Sequence, residues 1–177
     1  MLPHVLLVPG LYDSGARHWQ SLWHAAHPEY RRVEQRDWVN ADRAGWVATL
    51  DAYVRETGGP VLLVAHSLAC ITVAHWALAH DTSLVAGALL VAPSDVEADF
   101  FPGGTTGFAP VPLARLPFPS TFVASTDDDY LSMERAARFA EAWGSRLVVI
   151  EGAGHINTDA GFGPWPEGEA LLAEMRG

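Results

Sequence analysis

One stretch, Pro60 to Trp76, constrains the fold more than any other. It opens on Val61–Val64, an apolar run short enough for one strand buried on both faces. It closes on Leu68–Leu78, a longer segment that reads as a helix with Ile71, Ala74 and Leu78 on one side. Ser67 stands between them, with Ala65 two residues before it and Ala69 two residues after. A strand that turns at once into a helix brings two backbones nearly into contact, so only small side chains fit at those two positions. The corner residue is then strained, and its hydroxyl stands clear of the sheet edge. The same serine could instead be an ordinary helix cap. The buried strand before it favours a corner that presents a nucleophile.

The flanking segments repeat the strand-then-helix alternation. Val5–Val8 reads as a strand, with a helix over 17–26 that His27-Pro28 ends. Tyr30–Gln35 reads as a more polar edge strand. Asp42–Glu56 reads as an amphipathic helix with Trp46, Leu50, Tyr53 and Val54 inward and Gly58-Gly59 as its stop. Further strands are expected over 84–91, 121–124 and 146–150, and further helices over 131–143 and 167–175. Such alternation implies βαβ units, a parallel sheet of about six strands and helices on both faces. At 177 residues and 49% hydrophobic, the chain is expected to form one domain, residues 1–177, with a sizeable core. Pro93–Pro119 shows no clear element. Its Phe100, Phe101, Phe108 and Phe118, together with Trp38, are candidate walls of an apolar pocket, or the four phenylalanines simply pin the loop to the core.

Composition removes several function classes. All eleven cations are arginine, which excludes Schiff-base, pyridoxal-phosphate and P-loop lysines. Gly10 to Gly15 has P-loop spacing, but Ala16-Arg17 stands where Lys-Ser/Thr is needed. A net charge of −10 argues against nucleic acid or an anionic membrane as partner. No apolar run approaches the ~20 residues that span a bilayer. The single cysteine, Cys70, reads as a small buried hydrophobe; nothing points to an oxidising compartment, and the expected location is cytoplasmic. His18, His24 and His27 lack the carboxylate or cysteine partners of a metal site. Neither metal nor cofactor is expected, and no protein partner is indicated.

Ligands of open parallel sheets bind beyond the carboxyl ends of the strands. Three reactive groups fall there: Ser67, the run Asp127–Asp129, and His155 in the glycine-flanked loop Gly154-His155-Ile156-Asn157. Ser…Asp…His is the chain order of α/β-hydrolases. His155 would take the serine proton, and an aspartate behind it would hold the imidazole tautomer. Backbone N–H groups of Leu68 and of Leu11, after Pro9-Gly10, are the expected oxyanion donors.

With these residues in view, the chain resembles the small serine hydrolases related to retinoblastoma-binding protein 9. The resemblance spans nearly the whole chain. It rests on Val8-Pro9-Gly10, His18-Trp19-Gln20-Ser21-Leu22-Trp23, Asp37-Trp38, Ala65-His66-Ser67-Leu68, Leu116-Pro117-Phe118-Pro119-Ser120, Asp128 with Tyr130, and Gly154-His155-Ile156-Asn157. It implies Ser67 as nucleophile, His155 as base and Asp128 as acid, with Asp127 next in line. Two positions depart from the family pattern: Asp129, where proline usually follows the acid, and Ala69, where glycine is commoner. The resemblance further implies a sheet lacking the first two strands of the full hydrolase fold, and carboxylesterase-like action on a small ester. The alternative function is a weakly active or non-catalytic binding protein on the same scaffold.

Overall fold

The computed structural model describes residues 2–177. Six strands form one parallel sheet in the order β2-β1-β3-β4-β5-β6. They are β1 (His4–Val8), β2 (Arg31–Arg32), β3 (Val61–His66), β4 (Val85–Val91), β5 (Ser120–Ser125) and β6 (Arg146–Ile150). The helices are α1 (Trp19–Ala26), α2 (Arg43–Glu56), α3 (Leu68–Ala79), α4 (Met133–Trp143) and α5 (Pro166–Arg176). This is the expected α/β architecture. The chain steps from β1 outward to β2 and then back past β1 to β3, so the sheet reverses direction between β1 and β3. That reversal opens a crevice at the carboxyl ends of these two strands.

Each central strand lacks polar alternation because both faces are covered. Val5, Leu7, Leu62, Val64, Leu89, Val91 and Val123 pack under α1 and α5. Leu6, Val8, Leu63, Ala65, Ala88, Leu90, Phe122 and Ala124 pack under α2, α3 and α4. β2 is reduced to two residues because a polar segment at the rim has only β1 to pair with. Local signals set the helix starts. Asp42 accepts from the Gly45 N–H at 2.8 Å, and Ser132 from the Arg135 N–H at 3.2 Å. Gly144 ends α4 at φ +68°, where a Cβ would be strained.

One sequence reading changes and two are refined. Leu78 is exposed, because the buried face of α3 ends at Trp76. Tyr53 is half-buried and lies under the Arg31 guanidinium. The 93–119 connection does the work of a helix. Phe108, Val111, Leu116 and Phe118 are all buried in the core that α2, α3 and α4 share. Its backbone is stitched down as well. Thr106 exchanges two backbone hydrogen bonds with Ala41 and Arg43. The Phe108 carbonyl lies 2.8 Å from His75 Nε2, and the Pro112 carbonyl accepts from Trp143 Nε1–H at 2.7 Å. Among the described residues, no helix is long and apolar enough to cross a membrane.

Candidate active site

Ser67 sits at the corner between β3 and α3 with φ +58° and ψ −126°, the strained conformation that the flanking alanines predict. Ala65 and Ala69 are fully buried. The loop after β1 presses against this corner. A Cβ on Gly10 would lie 2.8 Å from both the His66 carbonyl oxygen and Ser67 Cβ, so only glycine fits. As the first residue of α3, Leu68 has no intrahelical acceptor for its N–H. Tyr12 and Asp13 spend their amides on the Trp38 and Gly10 carbonyls, which fixes the turn that carries Leu11.

His155 Nε2 lies 2.9 Å from Ser67 Oγ. On the other side of the ring, His155 Nδ1 is 2.9 Å from each carboxylate oxygen of Asp128. The Asp128 side chain is 1% exposed and that of His155 12%. A carboxylate on Nδ1 fixes the proton there and leaves Nε2 as the acceptor facing Ser67. Asp127 points elsewhere. It accepts from Ser125 Oγ–H and from the Gly154 N–H, each at 2.7 Å. The bond from Ser125, followed by that from Gly154, holds its carboxyl below the usual range. It thereby fastens the loop that carries His155. The Ala153 N–H to Ser125 Oγ bond, 2.9 Å, does the same.

Three further side chains close on this centre. His66 Nε2 is 2.9 Å from the His155 carbonyl oxygen, and burial holds the ring well below its ordinary pKa, so it stays neutral and donates. The Tyr130 ring packs 4.6 Å from the His155 ring. Ser94 Oγ, after β4, is 2.8 Å from Ser67 Oγ. The sequence reading did not single out Ser94, although the rule that selects Ser67, Asp128 and His155, a polar residue just past a strand's carboxyl end, selects it too.

The serine hydrolase family profile matches residues 5–174. The chain belongs to the serine hydrolase family. A YdeN-like hydrolase from Pectobacterium atrosepticum is 35% identical over 99% of this chain and 91% of its own, with a TM-score of 0.88. The ydeN gene product of Bacillus subtilis is 19% identical, with 98% of each chain covered and a TM-score of 0.77. An esterase from Thermogutta terrifontis, 18% identical over 100% of this chain and 91% of its own, has a TM-score of 0.71 and shares the fold. No curated protein matches this chain.

In this serine hydrolase a cavity of about 300 Å³ opens over Ser67 and His155. Leu11, Tyr12, Phe101, Pro102 and Tyr130 form its apolar wall, and Asn157, Thr158 and Asp159 its polar rim. Trp38, Phe108 and Phe118 are not among its lining residues. Phe108 packs edge-on to Trp46 inside the core. Phe118 precedes β5 and so lies at the opposite end of the sheet. Trp38 packs edge-to-face against Trp46, and its carbonyl accepts from the Tyr12 N–H. Of the phenylalanines in the long connection, Phe101 is the one that reaches the cavity. Among the described residues, no cluster of three or more metal-ligating side chains occurs.

His18 caps α1, its Nδ1 accepting from the Gln20 N–H at 3.2 Å, and its ring packs 4.8 Å from that of His66. Burial, with smaller pushes from His155 and Arg32 against a pull from Asp13, lowers its pKa from 6.5 to about 4. The native ring therefore refuses a proton that the unfolded chain accepts from pH 6.5 downward. Stability is lost as pH falls from 6.5 toward 4, by about 3 kcal/mol at 1.4 kcal/mol per pH unit. His66 acts in the same direction. Urea midpoints at pH 7 and pH 4.5 check this; His18→Asn, which keeps the cap but cannot titrate, should flatten the difference.

Proposed function

We propose that this serine hydrolase cleaves small carboxylic esters through an acyl-enzyme on Ser67. The observation that carries the reading is the continuous contact from Ser67 Oγ through His155 to Asp128, each step at 2.9 Å. In the first half-reaction, Ser67 Oγ bonds to the ester carbon while its proton passes to His155 Nε2. The negative charge on the former carbonyl oxygen falls to the N–H groups of Leu11 and Leu68. As the tetrahedral centre collapses, the bond to the leaving alcohol breaks, and His155 gives that alcohol its proton. Water repeats the sequence on the acyl group, freeing the acid and restoring Ser67. Asp128 holds the imidazole in register and stabilises the imidazolium.

The cavity's size suits a short acyl or alcohol group, and the Phe101–Pro102 wall suits an apolar one. We read the whole chain as one catalytic domain, kin to the hydrolases related to retinoblastoma-binding protein 9 on the motifs quoted above. The lone buried thiol of Cys70, its pKa raised by burial, suits a reducing compartment such as the cytoplasm.

The test is intact mass after treatment with a fluorophosphonate. One adduct on the wild type and none on Ser67→Ala is expected. A folded wild type that takes up no adduct would overturn the reading.

A further inference from the structure

We propose that Ser94 is an additional catalytic residue: its hydroxyl donates to Ser67 Oγ and directs the Ser67 proton to His155. The proposal rests on the reading of Ser67 as nucleophile. Proton accounting fixes the direction of the bond. His155 Nδ1 carries its proton toward Asp128, so Nε2 can only accept, and Ser67 must donate to it. Ser67 has one proton. The 2.8 Å contact with Ser94 must therefore run from Ser94 Oγ–H to a Ser67 lone pair.

The placement of Ser94 is built rather than incidental. Ser94 is 1% exposed, yet it lines the cavity over Ser67. Ala92, two residues earlier, has φ +45°, a conformation that costs energy in any residue with a Cβ. Both sides of the turn are clamped. Ala92 N–H donates to the Val123 carbonyl at 2.8 Å, and Asp95 N–H to the Tyr130 carbonyl at 2.9 Å. The Asp95 carboxylate accepts two bonds from Arg135, at 2.7 and 2.8 Å. A strained turn held at three points presents one hydroxyl to the reacting oxygen.

The chemical consequence lies in the acylation step. As Ser67 loses its proton, charge builds on Oγ, and a bond from Ser94 to a charged acceptor is stronger than one to a neutral acceptor. The contact therefore favours the transition state over the resting enzyme. Once Ser67 is acylated, Oγ becomes an ester oxygen and a poor acceptor, which releases Ser94.

The experiment follows fluorophosphonate labelling over time by intact mass, alongside p-nitrophenyl acetate kinetics and thermal melting. Ser94→Ala should label roughly ten- to hundredfold more slowly than wild type. Its kcat should fall with the labelling rate, while KM and melting temperature hold. Ser94→Thr, which keeps the hydroxyl, should recover most of the loss. If Ser94→Ala does not fold, Ser94→Gly carries the same expectation. A hydroxyl-free variant that labels at the wild-type rate overturns this inference alone. So does a slow variant whose loss tracks a fallen melting temperature and which Thr does not rescue. A folded wild type that takes no adduct at Ser67 overturns the nucleophile reading, and this inference with it.

Discussion

Ser67→Ala is expected to lose ester turnover by roughly 10⁴- to 10⁶-fold while the protein stays folded. On the proposed mechanism the nucleophile, the proton donor to His155 and the acceptor for Ser94 disappear together, so nothing in the site substitutes for them. The fold is a separate matter. The removed oxygen has only two side-chain partners, Ser94 and His155, and the corner backbone stays at φ +58° whether Ser or Ala occupies it. Ser67→Gly should be equally inactive yet more stable, by about 1–2 kcal/mol, because glycine tolerates positive φ without the Cβ clash. Turnover of a short acyl ester and thermal melting of both variants check the pair. Turnover near wild type in Ser67→Ala would end the nucleophile assignment. A Gly variant no more stable than Ala would show that the corner stores no strain.

Asp128→Asn should cost about 10⁴-fold in kcat. An amide can turn its NH₂ toward Nδ1, which stabilises the tautomer with the proton on Nε2 and so removes the acceptor for Ser67. Asp127→Asn should behave differently, because its carboxylate meets Ser125 and Gly154 rather than the imidazole. It is expected to lower kcat less than tenfold and to bring the urea midpoint down slightly as the loop bonds weaken. Comparing kcat and urea midpoints of the two variants separates the roles. The reverse order of losses would transfer the acid's role to Asp127.

The two neighbouring aspartates show how far a sequence speaks. That an acid stands past β5 follows from strand periodicity. Which of three consecutive aspartates meets His155 depends on a few degrees of loop torsion, and periodicity carries no such information. The corner at Ser67 was legible for the opposite reason: close approach of two backbones is a steric demand, and steric demands are written as small residues. The close approach of Gly10 to that same corner is a steric demand of the same kind. Phe108 and Phe118 mislead because an apolar ring looks the same in a pocket wall as in a core. Here the β4–β5 connection has no helix, so its own side chains must cover the sheet. The edge strand β2 shrinks from the expected six residues to two because polar side chains at a rim bury little to hold it. Ser94 lies in a connection without a clear element, where neither periodicity nor spacing marks one hydroxyl as meeting Ser67.

The bonds around the His155 loop join the two ends of the chain. Trp19 Nε1–H donates to the Ile156 carbonyl at 2.9 Å, across 137 residues of sequence, and Trp23 Nε1–H to the Pro164 carbonyl at 2.6 Å, across 141. The rings of Trp19 and Trp165 then meet edge to face at 5.1 Å. Contacts that close loops of this length are entropically the most expensive to form. The serine's corner needs only neighbouring strands, whereas the base finds its place once the first helix has clasped the last loop. With Ser67 and His155 in the proposed roles, a molecule partly open at this clasp still carries its nucleophile but has nothing to activate it. On the proposed mechanism, hydrolytic power is thus tied to completed closure of the chain, and an incompletely folded copy would be chemically silent.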